Sequence, residues 1–441
     1  MAKYDRFFAL AKEAGITEAE LYVSESRSLS FSLFHGEVDN YSDKNGYSIF
    51  ARGKIGEKCG SASCDVWNKE KCEYLVREIV NNAKVIENDE PVIIFKGSEK
   101  YHKVNTYNKE FEKVSIDEKM KKLHELEDCI KNYSDKIAEV ASVEYEESTE
   151  KVTLLNSNGL KLFNKTNYFV YIGQCVAREG EQTKSNYDFF LDNDFSKFDA
   201  KKIGEKIAKD AVDQLGGEAC NSAKYKAVLA PNVVTSLLKF FVSHVDAEEV
   251  QKHSSVFIGK LNQKVASKKI TLEDRPLAKN VFTRWFDDEG VATYNKPIIK
   301  NGVLQTYLYN LTTATKDGVA STGNGYGFGS KKGISSTFLY LKPGKKSQEE
   351  LFQELGEGVY ITEVSGLHAG LNAQSGNFSL QSTGYLVKNG KRDRPLDIIT
   401  VSGNLFELFN DVIEVGSDVT VSPSGVSSES LLIKEISVSG K

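Results

Sequence analysis

Apolar residues recur along this chain with two different periods, and the switching between them outlines a fold. Residues 3 to 14 carry apolar side chains at helical spacing and stop at Gly15, whose missing side chain suits a left-handed closing position. Ser28-Leu-Ser-Phe-Ser-Leu33 then alternates polar and apolar with period two, as a half-buried strand does. His35-Gly36 and Asn45-Gly46 read as turns and Tyr47 to Ala51 as a further strand. After Ile55-Gly56 the chain returns to a helix over about Asn68 to Val85.

The same order returns near residue 115. Ser115-Ile-Asp-Glu118 has capping-box spacing, and Leu123, Leu126 and Ile130 supply the buried stripe of the helix that follows. Strands are predicted over Ile137 to Tyr145, Lys151 to Leu155, Leu160 to Phe163 and Tyr168 to Ala177, with a turn at Asn158-Gly159 and a closing helix from about Ala200 to Leu215. Two successive helix, four-strand, helix units imply an internal duplication, joined by a charged connection at about 86–114. From Lys224 the texture changes to short strand-like runs with hairpin turns at Asn301-Gly302 and Asn389-Gly390, and one clear helix near Pro231. The predicted fold class is α+β: duplicated units over 1–110 and 111–222, then a β-rich domain of barrel or sandwich type over 223–441.

Composition narrows the function classes. The 441 residues include 57 basic and 62 acidic side chains, a net charge of -5, which argues against a nucleic acid or an anionic membrane as partner. No apolar run approaches the roughly 18 residues of a membrane span, and MAKYDRFFALAKEAG reads as an amphipathic helix and not as a signal peptide, so a cytoplasmic location is expected. Six cysteines with no C-x-x-C pair point to reduced thiols. A redox pair of Cys59 and Cys64 across a turn is the weaker alternative.

Three stretches hold candidate chemistry. Ser243 to His253 places two histidines among three carboxylates, but His244 and His253 are nine residues apart and point in opposite directions on a helix, so a solvated, charged helix end is the better reading than a zinc site. Gly323-Asn-Gly-Tyr-Gly-Phe-Gly329 fits neither standard nucleotide fingerprint. It reads as an aromatic-bearing loop, with substrate contact through Tyr326 and Phe328 as the alternative. In Ser365 to Gly390 a strand interrupted by glycine precedes an Asn-Gly turn, and His368 pairs with no visible nucleophile.

This third stretch resembles the C-terminal signature of the TldD/PmbA family, Gly-x-Phe-Ser-x-x-x-x-Gly-Tyr/Phe, here Gly376 to Tyr385 with Asn377 where an acidic residue is often found. Phe286 to Val291, Ile299 to Tyr307 and Ala314 to Gly323 agree with it, and the resemblance runs through almost the whole chain. It implies cytoplasmic proteolysis of unfolded peptides by a two-subunit assembly, in which one subunit carries an H-E-x-x-x-H zinc helix and a ligating cysteine near its C-terminus. Counting back from Ser254-Ser-Val-Phe257, that motif falls on Leu238-Lys239-Phe-Phe-Val-Ser243. No H-E-x-x-x-H or H-E-x-x-H occurs anywhere, and Cys220 is the last cysteine. The chain therefore resembles the zinc-free, PmbA or TldE-type member. Expected are no catalytic or metal-ligating residue and no cofactor in this chain, and zinc in a TldD-like partner or else a homodimer. An extended-peptide groove is expected where Asn324, Tyr326 and Phe328 meet His368, Asn377, Phe378 and Ser379. The alternatives are a stand-alone peptidase with an atypical site around His244, His253 or His368, a DNA gyrase modulator, and a peptide-binding scaffold without activity.

Overall fold

A computed structural model describes residues 2–87, 92–328 and 332–441. The first unit consists of α1 (Asp5–Glu13), β1 (Glu18–Phe34), β2 (Glu37–Ile55), β3 (Lys58–Cys64) and α2 (Lys69–Val85). The second repeats the order as α3 (Ile116–Lys131), β4 (Ile137–Asn156), β5 (Lys161–Glu179), β6 (Gln182–Asp192) and α4 (Ala200–Asp213). The caps follow from the sequence: Asn68, Ser115 and Asp199 each accept a hydrogen bond from the amide three residues on.

Each unit thus has three long strands where four were expected. In the second unit two expected breaks are absent, since 146–150 continues β4 and 164–167 continues β5 without apolar alternation where the sheet leaves one face to solvent, and β6 is a strand that the sequence pattern did not predict. The Asn45-Gly46 turn is likewise absent. β2 runs straight through, pairing Asn45 with Arg27 and Gly46 with Ser26, and the hairpin turns at His35-Gly36, where φ is +53° and +80°.

All six strands join one antiparallel sheet in the order β3-β2-β1-β4-β5-β6, so β1 against β4 fuses the two units at its centre. Helices cover one face. Phe7, Leu75 and Ile79 pack on Leu21, Val23 and Ile49, while Leu126, Ile130 and Ile207 pack on Tyr145, Phe169 and Tyr171. The other face meets the third part of the chain through Tyr22, Leu154 and Leu162 against Trp285 and Phe286.

That third part is built on a closed five-stranded barrel of β7 (Ala223–Leu229), Gly358–Ser365, Asn377–Lys388, Lys391–Asn404 and Leu431–Ser439. β7 runs parallel to Gly358–Ser365, and every other pair in the ring is antiparallel. Both expected Asn-Gly turns are present, with positive φ at Asn301, Gly302, Asn389 and Gly390. Helix α5 (Pro231–Ser243) lies on the barrel with Val234, Leu237, Leu238 and Phe241 in the core. It does not continue to His253, as reading Ser243 to His253 as one helix end requires: the chain turns at His244 to Asp246, and α6 (Ala247–Gln251) starts afresh with Asp246 as its cap. Among the described residues no helix is long and apolar enough to cross a membrane.

Candidate functional site

A cavity of about 540 Å3 lies between the open face of the sheet and the third domain, a size that suits a small molecule or a few residues of peptide. Tyr22 of β1, Ser148, Glu150 and Val152 of β4, and Asn164, Thr166 and Tyr168 of β5 form one wall. The opposite wall comes from 281–288, 323–327 and 335–337. Both walls are rich in hydroxyls and amides, with the phenol rings of Tyr168 and Tyr326 exposed.

Three consecutive acids, Asp287, Asp288 and Glu289, are buried beneath this second wall and hold the glycine-rich loop in place. Asp287 accepts hydrogen bonds from the amides of Glu289 at 3.0 Å, Val291 at 2.9 Å and Gly325 at 2.8 Å. Asp288 accepts from the amide of Gly327 at 2.8 Å, from the Tyr22 hydroxyl at 3.2 Å and from Arg284. Glu289 accepts from the amide of Leu311 at 2.6 Å and lies 3.5 Å from the Lys332 ammonium. Glycine is needed for this approach: a Cβ on Gly325 would sit 2.7 Å from a Glu289 carboxylate oxygen, and Gly327 has φ of +71°. The amides that a nucleotide loop would offer to phosphate are therefore committed to carboxylates of the chain itself. Burial, then the charge of Glu289, raises the pKa of Asp287, and burial with Asp288 beside it raises that of Tyr22.

The sequence candidates divide between two places. Tyr326 stands on the cavity wall, 55% exposed. Asn324 also borders the cavity but is buried, its amide donating to Asp274 and to the Ser335 carbonyl while its oxygen accepts from Thr322. Phe328 packs on Tyr22 and Phe50 and ties the loop to the sheet; Gly329 lies outside the described residues. His368, Asn377, Phe378 and Ser379 are not among the residues lining this cavity. His368 is exposed on a short helical turn at Leu367–Gly370. Phe378 points into the barrel core, because the alternation of its strand turns Asn377 and Ser379 outward instead.

The histidine-bearing stretch also departs from its reading as a solvated helix end. His244 is buried, with Nε2 2.7 Å from the Ala373 carbonyl and Nδ1 accepting from the Val256 amide at 3.3 Å. These bonds fix the neutral tautomer with its proton on Nε2, and burial lowers the pKa. The ring lies edge-on to Phe406 at 4.9 Å. His253, exposed and with φ of +60°, is not part of this cluster. On α5 before His244, Leu238 is in the core, while Lys239 and Ser243 face solvent.

Domain models of the PmbA/TldA metallopeptidases match in chain order: domain 1 at 19–83, the central domain at 109–215 and the C-terminal domain at 222–440. A Haemophilus influenzae metalloprotease PmbA homolog is 22% identical over 98% of this chain and 94% of its own length. A Buchnera aphidicola PmbA homolog is 28% identical over 64% of this chain, and that match spans 62% of its length. Among solved structures, a Thermotoga maritima protein described as a suggested modulator of a DNA gyrase superposes with a TM-score of 0.92 at 33% identity, over 99% of each chain. TldE from Thermococcus kodakarensis shares the fold, with a TM-score of 0.90 at 24% identity over 99% of this chain and 100% of that one. The chain belongs to the PmbA/TldD family.

The metalloprotease names of these relatives raise the question of a metal. Leu238, Lys239 and Ser243, at the positions where the zinc motif was laid on the sequence, offer no imidazole or carboxylate, and the neighbouring His244 has both nitrogens engaged. Among the described residues no group of three or more His, Cys, Asp or Glu side chains is placed to hold a metal ion. The side chains at these three positions do not fit zinc.

Proposed function

We propose that this chain is the zinc-free member of a two-subunit peptidase, contributing a wall of the substrate chamber while a zinc-bearing relative supplies the metal. The observation that carries this reading is that Leu238, Lys239 and Ser243 stand on α5 where the family resemblance implies the zinc motif, and none of them offers an imidazole or a carboxylate. The cleft between sheet and third domain is where peptide binds. It is large enough for a few residues, and besides its charged residues Glu150, Arg284, Asp287 and Asp288 it is lined by hydroxyls and amides that can bond a peptide backbone without demanding one sequence. The carboxylates at the cleft would repel a phosphate backbone, so the gyrase role named for the Thermotoga protein finds less support in this chain.

The test is reconstitution. The purified chain is expected to hold no stoichiometric zinc and to cleave no unfolded peptide, to associate with a zinc-bearing relative in light scattering, and to support cleavage by that pair. Tyr326→Ala is expected to slow cleavage without preventing association. Turnover by the chain alone, with one zinc lost on mutating His244 or His253, would overturn the reading.

A further inference from the structure

The wall contributed by the sheet has a charge inventory of its own. Alternate residues of a strand share a face, so the open face carries Tyr22, Ser24, Ser26, Ser28 and Ser30 on β1. Beside them in register on β4 lie Leu154, Val152, Glu150, Ser148 and Glu146. β5 adds Leu162, Asn164, Thr166 and Tyr168 opposite Leu154, Val152, Glu150 and Ser148. The face is thus apolar where it meets Trp285 and becomes hydroxylic and acidic across the cavity and beyond it.

Glu146 and Glu150 differ from the acids on the reverse of the same strands. There, Glu25 lies near Lys3 and Lys151, and Glu147 is bonded to Lys119. Glu150 accepts a hydrogen bond from Ser24 at 3.2 Å, and among the described residues neither Glu146 nor Glu150 enters an ion pair. In register with β5, Glu146 and Glu150 lie opposite Val170 and Thr166, so on their common face they flank the position opposite Tyr168. Arg284, the cation among the residues lining the cavity, already serves Asp288. Lys44, on the same face, lies on β2 opposite Ser28, on the far side of β1 from β4.

We propose that the cleft selects peptide segments bearing lysine or arginine, whose cationic ends sit against Glu146 and Glu150 and over the rings of Tyr168 and Tyr326. The inference rests on reading the cleft as a peptide site. Two carboxylates that enter no ion pair among the described residues, at and beside a concave wall, set a negative potential that solvent screens less than on an open surface, and exposed phenol rings add attraction for ammonium and guanidinium groups. An acidic segment would set its carboxylates against the same pair.

The experiment measures fluorescence anisotropy of labelled Gly/Ser peptides carrying lysine, glutamine or glutamate at the same positions, added to the full chain and to its pair with the zinc-bearing relative. The lysine peptide is expected to bind about tenfold more tightly than the glutamine peptide at low salt, as two modest ion pairs allow, with the glutamate peptide weakest. This advantage should shrink at high salt and fall to about twofold or less in the E146Q/E150Q variant. It should persist in E57Q/E357Q, which removes the same net charge from exposed sites elsewhere. Equal binding of all three peptides, or a lysine advantage that survives in E146Q/E150Q, overturns the charge selection while leaving the peptide site standing. Failure of every peptide to bind, with and without the relative, overturns both.

Discussion

His244 and Glu429 are both buried ionisable residues, and burial acts on them with opposite sign. His244 is neutral in the folded chain with a depressed pKa. Its contribution to stability is complete above the unfolded value of about 6.5 and is lost as pH falls through the folded value. Among the described residues Glu429 has no hydrogen-bond partner for either oxygen, and burial, then Asp418, raises its pKa to about 8. Its contribution is complete below the unfolded value of about 4.3 and is lost as pH rises through the folded one. Glu429→Gln should therefore change urea stability little at about pH 5 and raise it by about 1–3 kcal/mol at about pH 8; a gain of equal size at both would contradict the burial argument. His244→Ala removes two hydrogen bonds and leaves a space beside Phe406, so a loss of about 2–4 kcal/mol is expected at neutral pH, with a flatter profile below about pH 6.5. Neither environment was legible in the sequence. Two histidines among acids look like a solvated helix end until the chain breaks after Ser243 and folds His244 under the segment that contains Ala373.

At the scale of elements, the sequence predicted well wherever local chemistry decides, as at the Ser115 hydroxyl cap, Gly15, the His35-Gly36 hairpin and the Asn389-Gly390 turn. It failed where pairing across the sheet overrules a local signal. Asn45-Gly46 is a strong turn dipeptide, yet Gly46 sits in mid-strand paired with Ser26, where a Cβ would lie 2.4 Å from the Ser26 hydroxyl as it stands. The bonds from Gly325 and Gly327 to Asp287 and Asp288 could not be read either, because they join segments that no periodicity links. Gly60 offers the sharpest test of element packing. A Cβ there would lie 1.9 Å from the Ile79 carbonyl of α2, so Gly60→Ala must push that helix off β3. A loss of about 1–3 kcal/mol or more is expected in denaturant unfolding, together with faster amide exchange in α2. An unchanged midpoint would show that the helix can shift at no cost.

On the scale of the whole molecule, the sheet and the third domain are held in register around the cleft by Asp288, which joins Tyr22, Arg284 and the amide of Gly327. Asp288→Ala would leave all three groups without that acceptor. It should cost about 2–4 kcal/mol and speed amide exchange at 323–328, whereas Tyr22→Phe should cost about 1 kcal/mol with little change in the loop. Similar effects of the two variants would mean that the aromatic contact of Phe328, and not the carboxylate, holds the cleft walls. Barrel closure sets an order of events during synthesis. The strands Ala223–Leu229 and Leu431–Ser439 are hydrogen-bonded neighbours, though the ribosome makes them some 200 residues apart. The six-stranded sheet can assemble as soon as β6 and α4 emerge. The barrel must stay open, with β7 paired to Gly358–Ser365 on one edge only, until residues 431–439 leave the exit tunnel, so a nascent chain stalled before residue 431 should carry a protease-resistant sheet followed by a third domain that is still open to cleavage.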